Sequence, residues 1–128
     1  MLNIKKTLTK ILDALKADYV VEQGTSGDWT YRKWNSGIAE CWCDYSMGSF
    51  SPTSNFGGIY YRILDKAFPT NFFIDAPEFA EVDIYWDTGS SWASARAVTK
   101  DTLQFTAFKN SNSAYSAVVR MMAKGKWK

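Results

Sequence analysis

Cys41 and Cys43 are the two cysteines of the chain, and their i, i+2 spacing puts both on one face of an extended strand, with Cα atoms roughly 6.5 to 7 Å apart. That reach suits a mutual disulfide poorly. The pair reads as two reduced, packed thiols of a protein folded in a reducing cytoplasm, with a shared metal or an intersubunit bridge as the lesser alternatives. The carboxylates offer no better chemistry. Asp83 and Asp87 stand four apart on a predicted strand, roughly 13 Å along it, beyond the separation of paired glycosidase carboxyls. Glu81 and Asp83 are closer, about 6.5 to 7 Å, but on the predicted solvent face, where carboxyls keep ordinary pKa values and form a solvated edge. Histidine is absent, which removes Ser-His-Asp and Cys-His catalysis, His-ligated zinc and imidazole base chemistry. The serine-rich loops lack a base, and no GxGxxG, P-loop or metal-ligand cluster occurs. The expectation is a protein that is not an enzyme and needs no metal or cofactor.

Aromatic surface is abundant instead: six Trp, seven Tyr and eight Phe, 16% of the chain, which suits a binding or structural protein. In the run from Trp29 to Trp34, alternation puts Trp29, Tyr31 and Lys33 on one face and Thr30, Arg32 and Trp34 on the other. Arg32 beside these rings has the chemistry to stack on a ligand, but packing on a neighbour or pairing with Glu40 is the favoured reading.

Two kinds of element must position these groups. In residues 1–17, Met1, Ile4, Leu8, Ile11 and Leu15 recur at alternating steps of three and four, an a/d helix seam that Leu12 widens. The helix packs either on its own domain or on other copies of itself, and the regular heptad on a terminal segment favours self-association. Two heptads are marginal alone. Residues 18–128 form short alternating runs broken by Gly, Ser, Asn, Pro and Asp, the pattern of an antiparallel β-sandwich or barrel. Strands are expected over residues 19–23, 28–34, 37–45, 58–64, 72–74, 81–87, 92–98, 103–109 and 115–123. Val82, Ile84 and Trp86 should share one face of their strand and Glu81, Asp83, Tyr85 and Asp87 the other; Leu103, Phe105 and Ala107 should oppose Gln104, Thr106 and Phe108. The irregular stretch 46–57 has room for a further short strand, and covering a barrel end is its favoured role over binding.

Length and charge bound the rest. At 128 residues with 46% apolar and 22% charged side chains, the chain makes one domain that buries about two-thirds of its unfolded surface, not a disordered segment. A net charge of +2 with scattered Lys and Arg gives no footprint for nucleic acid or an anionic membrane. No apolar run approaches the roughly 18 residues of a membrane span, and the first ten residues lack the apolar core of a signal peptide.

The run Val20-Val21-Glu22-Gln23-Gly24-Thr25-Ser26-Gly27-Asp28-Trp29-Thr30-Tyr31-Arg32-Lys33-Trp34-Asn35-Ser36-Gly37-Ile38-Ala39-Glu40-Cys41-Trp42 resembles the opening of a C-terminal receptor-binding domain of tail proteins from phages and prophages of Gram-positive bacteria. Phe68-Pro69, Phe72, Ala76-Pro77, the run from Val82 to Trp86, Ala97-Val98-Thr99, Phe105 and the closing Ala123-Lys124-Gly125-Lys126-Trp127-Lys128 resemble the same domains and, more loosely, H-type lectins. Two departures stand out: Met121 occupies a position that is usually aromatic, and Cys43 one that is usually small. The resemblance implies an all-β antiparallel β-sandwich after one N-terminal helix. It also implies a homotrimer in the virion, at the tail tip or baseplate, that contacts other tail proteins and binds a host-surface saccharide. The number three comes from this resemblance, and the helix seam of Ile4, Leu8, Ile11 and Leu15 is where the copies would meet. A purely structural tail component is the alternative.

A saccharide presents an apolar CH face and a ring of hydroxyls, so its site needs an aromatic platform flanked by short carboxylates or amides. If the last four strands form a meander, the loops 87–91 and 110–114 are neighbours and supply that set. Trp92 and Tyr115 stand at their edges, Asp87, Asn110 and Asn112 between them, and Arg96 within reach from an adjacent strand or subunit. The competing expectation is that Trp92 packs inside the sandwich.

Overall fold

The computed structural model describes residues 3–128, with residues 14–16 described by their backbone alone. Helix α1 (Ile4–Lys16) starts where Asn3 caps it, its side-chain oxygen accepting from the Lys6 amide at 3.0 Å. Ile4, Leu8, Ile11 and Leu12 are each more than half exposed in the single chain. The seam positions Met1 and Leu15 lie outside the residues whose side chains are described. At the junction that follows, the Asp18 carboxylate accepts from the Ser36 amide and hydroxyl at 2.9 and 2.6 Å and from the Tyr19 amide at 3.0 Å. These bonds tie the end of the helical segment to the turn between the second and third strands.

Nine strands follow: β1 (Val20–Ser26), β2 (Trp29–Trp34), β3 (Ile38–Phe50), β4 (Ser54–Phe56), β5 (Ile59–Ala67), β6 (Phe79–Asp87), β7 (Ser91–Val98), β8 (Thr102–Lys109) and β9 (Tyr115–Lys126). They form two antiparallel sheets, ordered β1-β2-β3-β9-β6 and β4-β5-β8-β7. The expected all-β sandwich behind one helix is the fold. Strict alternation explains the layer between the sheets. Tyr115, Ala117, Val119, Met121 and Ala123 of β9 are buried, as are Leu103, Phe105 and Ala107 of β8, and Cys41 and Cys43 join them from β3. Both cysteines are free thiols, as their spacing predicts. Burial raises both pKa values, that of Cys43 to about 11.

Residues 72–74 are not a strand. Phe72 and Phe73 are both buried, which two successive strand residues on a half-buried sheet cannot be. The irregular segment instead folds both rings against Phe68 and Tyr31 and plugs one end of the core, with ring centroids 4.7 to 5.4 Å apart. At the other end, β3 runs on past a bulge between Ser46 and Gly48 to bury Phe50 against Tyr115. The short strand expected within 46–57 is β4. It turns into β5 through Gly57 and Gly58, both at positive φ, as a tight hairpin turn demands.

The last four strands are not a meander. β6 and β9 belong to the larger sheet and β7 and β8 to the smaller, so the connections after β6 and after β8 each carry the chain from one sheet to the other. The two loops are neighbours all the same, because both corners lie at one end. The Thr88 amide donates to the Ser116 carbonyl at 3.0 Å, and the Ser116 amide to the Thr88 hydroxyl at 2.9 Å. A bulge between Ile84 and Trp86 also shifts the phase of β6. Trp86 turns outward and is 52% exposed, while Asp87 is drawn partly inward, the reverse of simple alternation.

Candidate functional site

The outer face of the smaller sheet carries a row of aromatic side chains. Register puts Tyr61 of β5, Phe108 of β8 and Trp92 of β7 in one row, and Ile63, Thr106 and Ser94 in the next. Trp92 lies nearly parallel on Phe108, with centroids 5.5 Å apart and planes 13° apart; Tyr61 tilts toward Phe108 at 6.2 Å. Phe56 and Ile59 extend the apolar surface from the β4–β5 turn. The result is an open groove of about 420 Å³ with Thr106 on its floor and Arg96 on its wall. Trp92 is 44% exposed, so it does not pack inside the sandwich. Rings open to solvent on one face, beside a guanidinium and a hydroxyl, have the chemistry to hold a ligand; no nucleophile with a neighbouring base lines the groove.

Of the sequence-derived set, the structure brings Trp92 and Arg96 together here. The other four lie at the corner end. Tyr115 is 3% exposed, because β9 alternation puts it in phase with Ala117 and Val119, and it packs edge-to-face on Phe50. It offers no platform to a ligand. Its hydroxyl makes no hydrogen bond of ordinary geometry among the described residues; burial raises its pKa, the adjacent Ser91 hydroxyl opposes that, and the Asp87 charge adds to it. Asp87 is half-buried and accepts a hydrogen bond from Ser91. Asn110 and Asn112 are exposed in the corner loop, where Lys109 donates to the Ser113 carbonyl and hydroxyl at 3.2 Å each. None of these four lines the groove.

Sequence reasoning missed Tyr61, Ile63, Phe56 and Phe108 as groove residues. A signal for Phe108 existed, since alternation places that aromatic ring on the outward side of β8. The pairing that sets it between Tyr61 and Trp92 is a matter of topology.

The larger sheet has an outer cleft of similar size, lined by Asp28, Thr30, Trp42, Asp44, Arg120 and Met122. Its charges are already partnered: Arg120 donates to both Asp44 oxygens at 2.8 and 3.1 Å, and Lys66 pairs with Asp28. Arg32 pairs with Glu40 at 3.8 Å and lies over Trp42, the structural role expected of it. Among the described residues no cluster of metal-ligating side chains occurs, and no helix is long and apolar enough to cross a membrane.

No protein-family model matches the chain, and no curated protein matches it in sequence. Solved structures do match. The structure of an N-truncated R1-type pyocin tail fibre is 17% identical with a TM-score of 0.58, covering 97% of this chain and 98% of that one. The C-terminal residues 323–701 of the P. aeruginosa R1 pyocin fibre match with the same identity and TM-score, over 97% of this chain and 32% of that one. The fold is thus a helix-headed β-sandwich of the kind found in tail fibres. The chain shares the architecture of R1 pyocin fibre domains along nearly its whole length, and spans about a third of the longer fibre structure.

Proposed function

We propose that this chain is a receptor-binding domain of a phage tail or baseplate that grips host-surface saccharide in the groove of the smaller sheet. The stacked, half-exposed Trp92–Phe108 pair beside Arg96 is the observation that carries the reading, since sugar rings bind on such platforms through their CH faces. The shared fold with pyocin tail fibres supports a place in a tail fibre. The resemblance of residues 20–42 to tail proteins of Gram-positive phages supports a Gram-positive host. In this reading the domain works without catalysis and as a homotrimer, its helices packed along the threefold axis through Ile4, Leu8 and Ile11, whose exposure in one chain leaves an apolar stripe to cover. Other tail proteins hold the trimer in the virion.

A second reading makes the domain a structural tail component whose groove receives another virion protein. Phe56, 77% exposed at the groove rim, favours it, because so large an uncovered ring suits a protein partner. Trp92→Ala tests the two. Under the saccharide reading the variant keeps its fold and loses binding to a glycan array and to host cells. Unchanged cell adhesion with lost assembly onto the tail supports the structural reading.

A further inference from the structure

Resting on the saccharide reading, we propose that the groove takes an anionic saccharide, whose carboxylate or phosphate meets Arg96 while a sugar ring lies on Trp92 and Phe108. The first support is the state of the arginines. The chain has four. Arg32 pairs with Glu40 and covers Trp42; Arg62 lies over Phe50 at 5.2 Å; Arg120 is held by Asp44 and Tyr85. Arg96 alone has neither an acidic nor an aromatic partner among the described residues.

The backbone supplies the second support. β7 carries a bulge between Ala95 and Ala97, so Arg96 is the extra residue with no cross-strand partner, and it lines the groove beside Thr106. Arg96 is in phase with Trp92 and Ser94 on the outward side of β7, so alternation aims this cation at the groove and the bulge leaves it without a cross-strand neighbour. The third support is what the groove lacks. No Asp or Glu lines it, although carboxylates are the usual acceptors for the hydroxyls of a neutral sugar. Asp65, one row further along β5, is already engaged by the Gln104 amide at 3.0 Å. A guanidinium offers two parallel donors to a carboxylate or phosphate, and the apolar walls around Arg96 lower the competition from water.

The test compares binding of the full chain to oligogalacturonate, to its neutral methyl ester, and to neutral and phosphorylated oligosaccharides on a glycan array. At least one anionic class should bind at least ten-fold more tightly than the neutral sugars, with affinity falling as salt rises. Retention by the uronates or by the phosphosugars tells the two anionic groups apart. Arg96→Gln should remove that preference while leaving the melting temperature within a few degrees, and Arg96→Lys should restore part of it. The wild-type salt dependence needs no variant and stands even if Arg96→Gln fails to fold. Salt-independent binding to neutral glycans that is lost in Trp92→Ala and kept in Arg96→Gln overturns the anionic ligand and leaves the saccharide reading intact. No binding to any glycan overturns both.

Discussion

Trp92 and Phe108 stack across the β7–β8 ladder on the outward side of the smaller sheet, with centroids 5.5 Å apart. Cross-strand aromatic pairs of this kind stabilise a sheet face, and here Trp92 still keeps 44% of its surface in water. Each half of the pair also fixes the other. Phe108 touches Tyr61 on its far side, so the three rings form one strip across β5, β8 and β7.

A double-mutant cycle on Trp92 and Phe108 should therefore show coupling of about 0.5 to 1.5 kcal/mol in urea unfolding, the usual worth of an aromatic pair beyond its area. Trp92→Ala alone should cost less than the roughly 3 to 5 kcal/mol of a core Trp, because Trp92 is 44% exposed. Additive effects within about 0.3 kcal/mol would show that the stacked contact adds nothing beyond burial.

The thiols make stability depend on alkaline pH. A thiol has an ordinary pKa near 9.0, and burial raises that of Cys43 to about 11 and that of Cys41 further. Above pH 9 the unfolded chain loses protons that the native chain keeps, so the unfolding free energy falls as pH rises from about 9 toward 11. Urea midpoints across that range should drop in the parent and drop less in a Cys41→Ala, Cys43→Ala variant. In the native protein at pH 8, a thiol reagent should modify neither cysteine rapidly.

Asp18 sits beside three donors, and the Ser36 hydroxyl is the main cause of its lowered pKa. Its folded-state contribution is present above the ordinary carboxyl pKa and fades as pH falls through the depressed one. Carbon-detected NMR titration should find Asp18 titrating below 3.8, and Ser36→Ala should move it back up. An unmoved midpoint would detach the helical segment from the β2–β3 turn.

Gly125 is a packing site. A Cβ there would lie 2.8 Å from the Pro77 Cα and 3.1 Å from the Phe73 ring, and backbone cannot give way as a flexible side chain does. Gly125→Ala should cost about 1 to 3 kcal/mol, the usual range for overpacking, read from thermal or urea unfolding. Gly27→Ala meets no atom within 4 Å and is strained only by its φ of 57°, so it separates backbone strain from overpacking.

On the proposed trimer, Leu8→Lys with Ile11→Lys should shift sedimentation equilibrium from three copies toward one, because two charges in the seam cannot be buried unpaired. A trimer that survives both changes places the association in the β-sandwich instead.

Strand alternation and the helical period made much of this molecule readable from its sequence. The helix seam, the outward side of β8 and the reduced thiols follow from local periods of 3.6 and 2 and from the reach between neighbouring strand residues, which depend on nothing distant. Single-residue insertions were not readable. The bulges at Ile84/Trp86 and Ala95/Ala97 turn Trp86 outward and make Arg96 the unpaired residue of its strand, and nothing in the local run of side chains marks where a ladder will skip. Nor was the sheet to which each strand belongs. Composition and spacing put Trp92 and Arg96 forward as ligand residues, but only the pairing of β7 with β8 and of β8 with β5 set them beside Phe108 and Tyr61, and only the phase of β9 buried Tyr115. Local sequence dictates what a strand exposes on each face, whereas which faces meet is settled by non-local pairing, when every strand must cover its apolar side at once.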